Sequence, residues 1–115
     1  MKISEKTVDS VLILALEGEI MGGDETRPLQ DRVYRAIRES RIFVVLDMKD
    51  VSWINSSGLG ALMACLTTLR GSGGDLRLAR VSDRVRRPIT ITRLDQVLMM
   101  FESVEEALKG FGEGA

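Results

Sequence analysis

The run Ile42-Phe43-Val44-Val45-Leu46-Asp47-Met48 constrains this chain more than any other segment. A strand with one wet face alternates apolar and polar residues, whereas this run is apolar at every position but Asp47. Unbroken apolar character requires cover on both faces, which predicts a central strand of a sheet. A turn at Asn55-Ser56-Ser57-Gly58-Leu59-Gly60 follows. Beyond it Leu59, Leu62, Met63, Leu66 and Leu69 recur at helical spacing through Arg70, and Gly71-Ser72-Gly73-Gly74 stops the pattern. A buried strand feeding an amphipathic helix is the building block of an α/β domain.

The flanking segments repeat that alternation. The N-terminus up to about Thr7 reads as an edge strand, and Val11–Leu16 as a buried one after the Asp9-Ser10 turn. Glu17 to Asp24, with Gly18, Gly22 and Gly23, reads as a loop. Leu29, Val33 and Ile37 mark a helix that Asp24 or Thr26 can cap, with Pro28 tolerated in its first turns. Leu76, Leu78 and Val81 alternate with Arg77 and Arg80 as a further strand. Ser82-Asp83 resembles the cap of another helix, while Pro88 and Ile89-Thr90-Ile91-Thr92 oppose it, so propensity leaves that segment undecided. Val97–Phe101 reads as a last strand, and Ser103 with Glu106 as the capping box of a final short helix. The expected architecture is a mixed sheet of about four to five strands with about four helices packed mainly on one face. One domain spans 1–111, and a tail from 112 to 115 is expected to fray.

Composition removes much chemistry. The 115 residues include no histidine and a single cysteine, Cys65. Ser-His-Asp and Cys-His catalysis, His-ligated zinc and cysteine-rich metal sites are therefore excluded. No glycine spacing matches a P-loop or dinucleotide fingerprint, so no cofactor is expected. The net charge of -1 offers no general attraction to nucleic acid or acidic membranes. Met1–Glu5 lacks the apolar core of a signal peptide, and no run approaches the length of a membrane span. A cytoplasmic protein is the expectation.

Asn55–Gly60 is where chemistry remains. The first N–H groups of a helix lack internal partners and carry partial positive charge. A serine there either caps the helix or accepts a phosphate of roughly -1.5 to -2 charges at a place suited to hold it. Gly58 and Gly60 keep the surface low enough for another backbone to approach. From spacing alone, a capped helix with packing glycines explains the segment as well.

The stretch VVLDMKDVSWINSSGLGALMACLTTLRGSGGDLRLARVSDRVRR resembles the STAS domains of bacterial anti-sigma-factor antagonists. In that family a hydrophobic strand runs into Leu-Asp-Leu, and a Val-x-x-Ile/Met-Asp-Ser-Ser/Thr-Gly-Leu-Gly signature opens the next helix. The likeness extends upstream to Leu16–Ile20 and downstream to Leu94–Val97 and Phe101–Leu108. It implies a non-enzymatic partner switch. The antagonist binds an anti-sigma factor that is also a serine kinase of the histidine-kinase-like ATPase type. That kinase, using its own ATP and magnesium, phosphorylates the first serine of the signature, here Ser56, and the complex dissociates. A PP2C-type phosphatase restores binding. The surface the resemblance assigns to the partner is Met21, Gly22, Gly23 and Asp24 together with Asn55, Ser56, Ser57, Gly58, Leu59 and Gly60, on a monomer or weak dimer. Two positions depart from the family: Asn55 and Met21 stand where Asp is usual. The alternative is a STAS scaffold or assembly subunit, stressosome-like, that uses the same surface without phosphorylation.

Trp53 reads as a core or boundary residue in preference to a partner anchor, and the basic cluster Arg84, Arg86 and Arg87 as a solvated helix face in preference to a contact for acidic partner residues. Cys65 reads as inert and Met99–Phe101 as core filling. A serine nucleophile would need Lys49, Lys109 or a carboxylate as base, and no nucleophile-elbow motif is present.

Overall fold

The computed structural model describes residues 1–112; the expected tail otherwise lies outside the described residues. Five strands form one sheet in sequence order: β1 (Lys2–Val8), β2 (Val11–Ile20), β3 (Phe43–Ile54), β4 (Asp75–Ala79) and β5 (Met99–Phe101). β1 runs antiparallel to β2, and every later pairing is parallel. The parallel pairs need crossovers, which are supplied by α1 (Arg27–Arg38), α2 (Ser56–Gly71) and α3 (Asp83–Ile91). A short α4 (Val104–Leu108) closes the described chain.

β3 explains itself. Val44, Leu46 and Met48 enter the large core beneath α1, α2 and α3, alongside Leu12, Leu14 and Leu16 of β2. Val45 faces the other way, into a smaller cluster with Val11, Ile13, Ala79, Ala107 and Phe111. Helices therefore lie mainly on one face, with α4 alone on the second. Asp47 sits on that second face, nearly buried, and takes a two-pronged hydrogen bond from the Arg80 guanidinium, Nε to Oδ1 at 2.9 Å. That bond holds the guanidinium pKa above its ordinary value.

Three sequence expectations are corrected. Glu17–Ile20 is the end of β2, not loop. Register shifts between Ala15 and Glu17 and between Gly18 and Glu19 break the alternation that would reveal a strand. Val97 and Leu98 precede the last strand, because a turn of 3-10 helix over Leu94–Gln96 occupies the approach to it. Thr26 stands at the N-cap of α1 but its backbone is already helical, and its hydroxyl donates to the Gly23 carbonyl instead of capping. The undecided segment is α3. Val85 and Ile89, one turn apart, are both fully buried, so tertiary packing outweighs the β-branched residues. Pro88 forfeits one bond to the Arg84 carbonyl, on the wet side. Ser82 caps as expected, its hydroxyl accepting from the Val85 N–H, and Ser103 does the same for α4.

Arg77 secures α4. Its Nη1 donates to the carbonyls of Ala107 and Lys109, both at 3.0 Å, and its guanidinium stacks 4.3 Å from the Phe111 ring centroid. Arg77→Ala is expected to cost about 2 kcal/mol, from lost charged hydrogen bonds and ring contact. Amide exchange should then accelerate over residues 104–108 before the rest of the sheet opens; uniform acceleration would contradict a local clasp.

Candidate functional site

The site forms where β3 ends beside β2. Ile54 lies opposite Ile20, and the Asn55 N–H donates to the Ile20 carbonyl at 3.3 Å. Asn55 is extended (φ -104°, ψ 179°), and its side-chain Oδ1 accepts the Gly58 N–H at 2.7 Å. The cap of α2 is therefore Asn55. Neither Ser56 nor Ser57 caps the helix, and both side chains are exposed at its first turn. That turn contains no acidic residue, so the partial positive charge of the helix end is uncompensated.

Gly58 is buried, and the reason differs from the sequence expectation of a low surface. A Cβ built there would lie 1.9 Å from the Ile20 carbonyl oxygen. The missing side chain makes room for β2, not for a partner. Gly60 behaves as expected, exposed and facing open space. Leu59 is buried and belongs to the core. On the other side, the chain leaves β2 through Met21 and Gly22. Gly22 has φ +81°, and a Cβ on it would meet the Ser57 Cβ at 2.5 Å. The turn is thus pressed against the first turn of α2. Gly23 and Asp24 are exposed, Asp24 pairing with Arg27 at 3.2 Å.

The structure accordingly gathers the two segments singled out from sequence, Met21–Asp24 and Asn55–Gly60, at one end of the sheet. Within them Gly22, Gly58 and Leu59 shape the site from inside. Met21 is half-buried, and Gly23, Asp24, Ser56, Ser57 and Gly60 present surface. A pairing not seen in the sequence lies alongside. Trp53 is 39% exposed, not core, and the Arg84 guanidinium of α3 stands 5.2 Å from its ring centroid. The residues are 31 positions apart (84 minus 53), so no local pattern connects them. Cys65 is buried in α2, and burial pushes its thiol up to about 11. It stays protonated and unreactive near neutral pH. Among the described residues no group of histidine, cysteine and carboxylate side chains could hold a metal ion, and no helix is long and apolar enough to cross a membrane.

Asn55→Ala is expected to cost about 1 kcal/mol through loss of the cap, while Asn55→Asp retains it. Denaturant unfolding separates the two. Equal destabilisation by both substitutions would contradict the capping role.

A family model for the STAS domain matches residues 2–107, and the chain belongs to that family. The anti-sigma-B factor antagonist of Bacillus subtilis is 35% identical over 51 residues, 44% of this chain and 47% of that protein. The anti-sigma F factor antagonist of Paenibacillus polymyxa is 26% identical over 100 residues, 85% of this chain and 84% of that protein. Matches to Thermotoga maritima and Thermotoga neapolitana proteins span 60% and 58% of their lengths. The solved structure of TM1081 from Thermotoga maritima superposes with a TM-score of 0.83 at 26% identity, covering 94% of this chain and 92% of that one.

Proposed function

We propose that this chain is an anti-sigma-factor antagonist that works by partner switching. It binds a kinase-type anti-sigma factor through the junction and is released when Ser56 is phosphorylated. The observation that carries this reading is the Asn55 cap: because Asn55 takes the capping bond from the Gly58 N–H, the Ser56 hydroxyl remains exposed and available. The anti-sigma antagonist relatives support it. A dianion placed at Ser56 has two opposed effects. Within the chain, the positive end of α2 favours it by about 0.3–1 kcal/mol. Within a close protein contact, it must shed water and meets any carboxylate opposite, which costs more. The switch therefore weakens the complex without unfolding the chain. A PP2C-type phosphatase resets it, in the cytoplasm, on a monomer or weak dimer.

The test is incubation with the cognate kinase-type anti-sigma factor, ATP and magnesium. Intact mass should rise by one phosphate, mapped to Ser56 and absent from Ser56→Ala. Modification of Ser57, or none at all, would remove the phosphoswitch.

The neutral residues Asn55 and Met21 favour a second reading. A STAS scaffold or assembly subunit would dock through the same surface permanently. Size measurement distinguishes them, since a stressosome-like assembly is far larger than a one-to-one complex.

A further inference from the structure

Ser56 and Ser57 are adjacent, both are exposed, and neither caps α2. Exposure alone does not choose between them as the acceptor of a phosphate. What separates them is the turn that follows β2. The three atoms nearest to a Cβ built on Gly22 all belong to Ser57: its Cβ at 2.5 Å, its carbonyl carbon at 2.8 Å and its carbonyl oxygen at 3.1 Å. Neighbouring side chains on a helix diverge by about 100°. Backbone packed along the flank of Ser57 therefore leaves the flank of Ser56 open.

Gly22 lies so close through its conformation as well as its size. Its φ of +81° with ψ of 179° falls in a region open essentially to glycine alone. The turn is also held from both ends. Before it, the Ile20 carbonyl accepts the Asn55 N–H at 3.3 Å. After it, Thr26 is buried and donates both its N–H and its hydroxyl to the Gly23 carbonyl, each at 3.2 Å. Gly23 differs from its neighbour: at φ +61°, a Cβ built on it would meet nothing within 4 Å.

We propose that Gly22 is a positioning residue that decides which of the two serines takes the phosphate, by holding the turn against Ser57. The inference rests on the partner-switching reading. In the transfer, the γ-phosphorus of ATP forms a bond to the serine Oγ while its bond to the ADP oxygen breaks, and the hydroxyl proton passes to a base of the kinase. Attack and departure lie roughly in line, with three phosphoryl oxygens spread around that line. Ser57 must find room for them beside a turn anchored at both ends. Ser56 meets the kinase with its flank free.

The test is the ratio of phosphate on Ser57 to phosphate on Ser56, read by peptide mapping after incubation with the purified kinase-type anti-sigma factor, ATP and magnesium. Gly22→Ala should raise that ratio about tenfold or more. L-alanine holds neither the backbone conformation nor the contact, so the turn must leave Ser57. Gly23→Ala strains the same turn but sends its methyl into open space, so the ratio should stay as in the wild type whatever happens to the overall rate. In the Ser56→Ala chain Ser57 should stay unmodified, and adding Gly22→Ala should let it take phosphate. An unchanged ratio in Gly22→Ala would overturn the proposal. So would an equal rise in Gly23→Ala, or efficient modification of Ser57 in the Ser56→Ala chain. A Gly22→Ala chain with wild-type circular dichroism that takes no phosphate would overturn it too, since the turn would then serve docking alone. If Gly22→Ala does not fold, the Ser56→Ala chain decides by whether Ser57 is modified. Phosphate on Ser57 of the wild type, or on neither serine, would overturn the partner-switching reading and this inference with it.

Discussion

Gly58→Ala is expected to destabilise the chain by about 2–3 kcal/mol, although alanine is the better helix former. The propensity term favours alanine by about 1 kcal/mol. Against it stands the Ile20 carbonyl, 1.9 Å from where the new methyl would lie. That carbonyl cannot swing aside cheaply, since it accepts the Asn55 N–H and terminates a strand paired to β3. Overpacking costs roughly 1–3 kcal/mol and occasionally more; a methyl 1.9 Å from a fixed carbonyl oxygen stands at the upper end of that range or above it, so the steric term wins. Gly60→Ala supplies the contrast. The same helix and the same substitution meet open space there, and the expected change is stabilisation of up to about 1 kcal/mol. Thermal unfolding of the pair reads both signs. A stabilised Gly58→Ala protein would mean that the close approach of β2 to α2 is not rigid.

Ser56→Asp is expected to weaken the complex with the kinase-type anti-sigma factor at least tenfold, with stability little changed. The carboxylate carries one charge where a phosphate carries about 1.5–2, so the phosphorylated chain should lose more, on the order of a hundredfold. Ser56→Ala should bind as the wild type does, because the hydroxyl plays no part in capping α2. Calorimetric titration of the three proteins separates charge from shape. If Ser56→Ala weakened binding as much as Ser56→Asp, the hydroxyl contact would matter and the charge would not.

The parts of this fold that could be read from sequence are those whose burial is uniform along the element. β3 is covered on both faces and α2 buries Leu59, Leu62, Leu66 and Leu69, so each wrote a clear apolar pattern. The end of β2 was hidden because two register shifts and Gly18, at φ +119°, disturb the alternation over Glu17–Ile20. α3 was ambiguous for another reason. Pro88 and the β-branched residues argue against a helix, and only the burial of Val85 and Ile89 beneath β3 decides for one. At the site, Asn55, Ser56 and Ser57 are all competent caps, and sequence offers no way to rank them. The choice of Asn55 follows from where β3 delivers the chain beside Ile20, a contact between segments 35 residues apart (55 minus 20). Gly58 was legible as special, but its cause was internal packing instead of access. The Trp53–Arg84 stack required the tertiary structure altogether.

In the proposed switch, Asn55–Gly60 with the Met21–Asp24 turn forms a surface whose hold on a partner is set by the charge on Ser56. Isothermal titration of the kinase-type anti-sigma factor with unmodified chain and with chain phosphorylated at Ser56 tests it most directly. Tight binding of the unmodified form is expected, with an affinity about a hundredfold lower for the phosphorylated one. Equal affinities for the two forms would contradict it.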